Sequence, residues 1–152
     1  MGYIYYDYEF KTDEFKKKYL YFLQHIDEEI RLFYRKNASM LQILITYKKL
    51  FGMTPISLRS RSDKEAIEHR NFVLYLLVYF SKESFTSITE YFNVSEEFLQ
   101  KMRDDDSLHT IYEEKTKLFF DLHREEYILN KKAQIALAEE ISMTLRIECK
   151  KK

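Results

Sequence analysis

Glycine, proline and cysteine are nearly missing from this chain. Two glycines and one proline in 152 residues leave little of the turn chemistry that hairpins, sandwiches and barrels rely on. The same scarcity excludes glycine-rich phosphate loops and dinucleotide fingerprints, which need several glycines at fixed spacing. The lone cysteine, Cys149, rules out an intrachain disulfide and a multi-cysteine metal site, and points to a reducing, cytoplasmic setting. Net charge is absent as well, with 25 Lys and Arg against 25 Asp and Glu. Dedicated nucleic-acid binders usually carry a basic excess, because phosphate neutralisation supplies most of their affinity. Neutrality therefore raises the expectation of a protein partner, although a local basic patch would still suffice for DNA. Long apolar runs are lacking too. The run FVLYLLVYF at 72–80 has nine residues, where a spanning helix needs about 20, so it reads as a buried core helix and no membrane partner is expected. The opening MGYIYYDYEFKTDEF is polar and tyrosine-rich, unlike a secretory signal.

What is present points to helices. A hydrophobic fraction of 45% argues against disorder over most of the length, and Lys, Glu, Leu and Ile in place of turn formers make an all-α helical bundle the simplest reading. Thr12 is a cap for one long helix over 12–36, whose apolar face carries Phe15, Tyr19, Phe22, His25, Ile26, Ile30, Phe33 and Tyr34. Ser39 caps a helix over 40–51 that stops at Gly52. Thr54-Pro55 opens a short helical turn, and a polar, basic loop follows at 59–62. Asp63 caps a helix over 64–80. Two shorter helices follow, at 85–92 and 95–103, joined by a turn at Asn93-Val94, with Ser95 as a cap. Asp104, Asp105 and Asp106 close this block, and helices over 108–129 and 131–149 complete the chain. The whole reads as a single helical domain over 1–152, with a core at 40–103, a tyrosine-rich tail at 1–11 and a C-terminal helical pair at 107–149.

Catalytic signatures are hard to find. His25, His69, His109 and His123 share no ligand spacing. Asp121, His123 and Glu125 lie two apart, which on a helix turns them to different faces. Glu125-Glu126 and Glu139-Glu140 read as ordinary solvated faces. Neither an enzyme nor a bound cofactor or metal is expected.

The strongest functional signal lies at 40–103. A helix ends in Tyr47–Met53, a short helix follows at Pro55–Leu58, then a basic Ser/Arg loop, then an apolar helix led by Arg70. After these come Ser84-Phe85, Ile88 and Phe92 at the spacing of the first helix of a helix-turn-helix. This pattern resembles the C-terminal DNA-binding domain of the bacterial replication initiator DnaA. The resemblance implies a helix-turn-helix on double-stranded DNA, with Arg61 entering the minor groove and Arg70 on phosphate. Arg59 and Lys64 add charge beside them. The departure comes after Phe92. There the family opens its recognition helix with a Gly/Arg-Asp-His-Thr-Thr run, whereas this chain has the shorter Asn93-Val94-Ser95-Glu96-Glu97. Carboxylates repel the backbone, and among bases Glu favours only the cytosine amino group.

Two functions follow. One is a small, non-enzymatic DNA-binding or replication-associated accessory protein that uses Arg59, Arg61, Lys64 and Arg70. The other is a protein-binding module that has lost DNA reading, for instance a phage or mobile-element inhibitor of a nucleic-acid-processing enzyme. Its contacts would come from Tyr3, Tyr5, Tyr6, Glu96 and Glu97, because aromatic residues dominate interface hot spots. Formation of a homo-oligomer through an apolar helix face is compatible with either.

Overall fold

Six side chains set where helices begin. Thr12, Ser39, Thr54, Asp63, Ser84 and Ser95 each accept a hydrogen bond from the backbone N–H three residues on, satisfying a donor that a helix start leaves orphaned. At Ser39 the Gln42 side chain returns the favour by accepting from the Ser39 N–H at 3.0 Å, which completes a capping box. The computed structural model describes residues 7–151, with side chains through residue 146. Among the described residues there are ten helices and no strand, so the protein is an all-α helical bundle. None of these helices is long and apolar enough to cross a membrane.

The helices are α1 (Asp13–Gln24), α2 (Ile26–Asn37), α3 (Met40–Phe51), α4 (Pro55–Ser60), α5 (Lys64–Phe80), α6 (Phe85–Phe92), α7 (Glu96–Arg103), α8 (Ser107–Ile111), α9 (Glu113–Asp121) and α10 (Arg124–Lys151). Gly52 ends α3 in the left-handed region at φ 73°, where a Cβ would be strained. Three boundaries differ from the sequence reading. The expected helix over 12–36 breaks at His25, which has φ −114° and ψ 20°. Its ring stacks on Tyr21 at 4.2 Å and its Nδ1 lies 2.9 Å from the Tyr21 carbonyl, so a side chain competes locally for a helical acceptor. The basic loop is shorter than 59–62, because α4 continues through Ser60, whose hydroxyl donates to the Ile56 carbonyl at 2.6 Å. The expected pair 108–129 and 131–149 is three helices. Breaks fall at Tyr112 and around 122–123, and α10 runs straight through Asn130. The Tyr112 ring packs against Phe72 at 5.1 Å and Tyr75 at 5.0 Å, so tertiary packing holds the first break. Asn is only a weak helix breaker.

The chain divides into two compact units, Arg31–Leu122 and Met1–Ile30 with His123–Lys152. In the first, α5 is the hub. Phe72, Val73, Leu74, Tyr75, Leu76 and Leu77 are all buried, and α3, α4, α6 and α7 pack around them. A helix covered on every side needs no polar stripe, which is why this stretch shows no amphipathic period. Tyr47, Phe51 and Phe72 form an aromatic cluster beside His69. Tyr34 packs edge-on against Phe119 and Phe120.

In the second unit α1 packs along α10. Phe10, Phe15 and Ala136 form its core, with Tyr8, Tyr19 and Ile135 against them. Packing of the N-terminal segment across helices thus extends to Tyr8 and Phe10, while Tyr3, Tyr5 and Tyr6 lie outside the described residues. The reading of Glu139 as a solvated carboxylate is overturned, since it is 0% exposed. It accepts from the Tyr8 hydroxyl at 2.7 Å, the Lys11 N–H at 2.9 Å, and the Thr12 N–H and hydroxyl at 3.1 and 2.9 Å. One carboxylate therefore ties α10 to the residues that start α1. Burial alone would raise its pKa, but these donors outweigh desolvation and hold it at about 2.

A carboxyl whose folded pKa lies below its unfolded value stabilises the fold above that unfolded value. The contribution of Glu139 is thus complete above pH 4.5 and disappears as pH falls towards about 2. Glu139→Gln is expected to melt below the wild type at neutral pH, by about 2 kcal/mol on the scale of unsatisfied buried donors. Thermal melts by circular dichroism across pH 2–7 check this, with the difference closing at the acid end.

Candidate functional site

The segment over 40–103 forms α3 to α7 and lies wholly within the Arg31–Leu122 unit. Helices α5, α6 and α7 pack on one another. Between α6 and α7, Asn93 adopts the left-handed conformation at φ 54°, a role its short polar side chain tolerates. Ser95 then caps α7. The inward face of α7 is Leu99 and Met102, both buried. The Tyr79 hydroxyl donates to the Met102 carbonyl at 3.0 Å and also to that of Arg103, which satisfies acceptors at the end of α7.

The four expected DNA contacts have distinct environments. Arg61 makes a bidentate pair with Asp63, at 2.8 and 2.7 Å, and lies 3.9 Å from Glu65. The Asp63 hydrogen bond raises the Arg61 pKa, and its counterpart from Arg61 holds the Asp63 carboxyl below the usual range. Asp63 at the same time caps α5 through the Ala66 N–H at 3.3 Å. Arg70 is half-buried and donates to the Leu58 carbonyl at 3.2 Å and the Arg61 carbonyl at 3.0 Å, both acceptors at the end of α4. Arg59 donates from Nε to the Tyr91 carbonyl at 2.8 Å, with its guanidinium 4.6 Å from the Tyr91 ring centre. This stacking ties α4 to α6. Lys64 is exposed in the first turn of α5, between Asp63 and Glu65 in sequence. These four cations share one region, but three of them make bonds within the protein.

The exposed side of α7 carries Glu96, Glu97, Phe98 and Lys101. Lys101 pairs with Glu97 at 3.4 Å, so the cation nearest this surface is already partnered. Phe98 is 40% exposed. Arg103 sits over the Phe85 ring at 5.3 Å and bonds to Gln100. Asp105 accepts from the Ser107 N–H at 3.1 Å at the start of α8, where Asp106 itself makes no side-chain cap bond. Acidic and aromatic groups dominate the exposed face of α7.

The sequence reading named His109 only among four histidines without ligand spacing and did not single out Arg31 or Thr116, yet all three line one cavity with Tyr75. Their signal is weak because they come from three separate helices. No family model, curated protein or solved structure matches this chain.

Arg70→Met is expected to cost about 1–3 kcal/mol, because two carbonyls lose their donor. Arg61→Ala, which removes only an exposed pair, is expected to lower stability far less. Urea unfolding of both variants measures the contrast.

Proposed function

We propose that this is a non-enzymatic binding protein that retains a DnaA-like helix-turn-helix scaffold and uses it to engage a protein rather than to read DNA. The observation that carries this reading is the engagement of Arg61 and Arg70 within the fold. Arg61 is neutralised by Asp63, and Arg70 closes the end of α4 through two carbonyls. Each would have to give up internal bonds to meet a phosphate. Glu96 and Glu97 at the start of α7, with the exposed Phe98 beside them, suit a basic protein surface with an apolar pocket. A nucleic-acid-processing protein, as target of an inhibitor or accessory factor, presents such a surface to its substrate. A cytoplasmic setting accords with the lone cysteine.

A second reading, DNA binding, draws support from the packing of α6 and α7 on α5 and from Lys64 and Arg59 at the surface. One experiment separates the two. Fluorescence anisotropy with a random-sequence duplex over a salt series is expected to show no saturable binding at low salt. Binding that weakens with salt and vanishes in Arg59→Glu/Lys64→Glu would establish the second reading instead. In cells that express the protein, a photo-crosslinking residue in place of Phe98 is expected to capture a protein. The yield should drop by about tenfold in Glu96→Lys/Glu97→Lys, the scale of an interface hot spot.

A further inference from the structure

Within the Arg31–Leu122 unit, α2, α5, α8 and α9 line a half-open cavity of about 280 Å³, close to the lower end of the range for small-molecule sites. Its lining includes Arg31 from α2, Tyr75 and Phe80 from α5, His109 from α8 and Thr116 from α9. Two polar groups of this lining are buried without a hydrogen-bond partner, the Arg31 Nε–H and the Thr116 hydroxyl. Thr116 is only 2% exposed. Buried polar groups are nearly always satisfied, and two orphans around one cavity call for an explanation. Both are donors, and one is cationic. The Arg31 guanidinium sits 5.9 Å from the Phe80 ring centre and 6.0 Å from that of Phe120. Those rings hold it in place but accept no conventional hydrogen bond from it.

The remaining groups sharpen the chemistry. The Tyr75 hydroxyl meets His109 Nδ1 at 2.8 Å. A Tyr75 O–H that donates there leaves the ring proton on Nε2, a third donor. Burial raises the Tyr75 pKa, while a hydrogen-bonding contact from the Thr116 side chain and the charge of Arg31 oppose it. That contact is too loose to satisfy the Thr116 hydroxyl, which has no partner within full hydrogen-bond geometry. Glu113 also lines the cavity, so Arg31 supplies the one positive charge beside one carboxylate in this lining. The aromatic walls of Tyr75 and Phe80 suit a flat apolar body behind an incoming acceptor.

We propose that this cavity binds a small aromatic oxyanion, a phosphate monoester or a carboxylate, whose anionic oxygens are held by Arg31 and Thr116. A guanidinium and a hydroxyl suit such oxygens because each donates and neither is tied to another acceptor. The site is separate from the outward face of α7 and does not depend on how that face is used.

The test uses the full chain and three probes, phenyl phosphate, benzoate and phenol, followed by ¹H–¹⁵N chemical-shift titration. Saturable shifts centred on Tyr75, Thr116 and Thr110 are expected with at least one of the two anions and not with phenol. The tighter anion then tells which oxyanion the site takes. Arg31→Met is expected to weaken that binding at least about tenfold, and Thr116→Val by a smaller factor. Arg31→Lys keeps the charge but loses the guanidinium fork, and gives a second measure should Arg31→Met unfold. Absence of saturation by either anion with the wild type would overturn the proposal, as would unchanged binding in folded Arg31→Met or Arg31→Lys.

Discussion

Complete burial of the middle of α5 is the constraint on which the larger unit depends. Six consecutive residues, from Phe72 to Leu77, face no water. A single helix cannot hide such a stretch, so other helices must cover every side of it. Helices α3, α4, α6 and α7 do so. The packing of α6 and α7 on α5 is therefore required by the core whether or not α7 ever meets DNA.

Burying so much backbone forces polar groups into structural service. Helix ends leave carbonyls and N–H groups without partners, and this chain has too few glycines to close them by left-handed turns alone. Side chains do it instead. Arg70 serves the end of α4, Tyr79 the end of α7, and Asp63 the start of α5. Glu139 does the same for the start of α1 across a tertiary contact. The equal count of acids and bases has a physical counterpart in Arg61 and Asp63, where one partner's charge cancels the other's. A site that reads as a basic patch from its residues becomes a set of internal bonds once the chain is folded.

Much of the helical order was legible because capping is local. Ser39, Asp63 and Ser95 lie three residues from the N–H they accept, and Gly52 needs only its own φ. The starts of α3, α5 and α7 and the end of α3 followed from such features, whereas the cap at Ser84 was shown by the structure. The break at Tyr112 was not legible, since it depends on Phe72 and Tyr75, far away along the chain. Asn130 misled in the opposite sense, because a weak breaker yields to packing. Glu139 occupies the same stripe as Ile135 and Ala136 on α10. That position hints at burial, but only the distant Tyr8, Lys11 and Thr12 make burial of a carboxylate affordable.

The amino-acid sequence by itself determined the helical class, the caps and the apolar helix at the centre, because these follow from composition and from interactions within one turn. Tertiary structure alone decided which charges remain available. Arg61, Arg70 and Glu139 have the same chemistry in the unfolded chain as any exposed Arg or Glu. Their partners, or the bends that present those partners, exist only after the helices pack. The same holds for Arg31 and Thr116, which become neighbours of one cavity only when α2 and α9 meet α5.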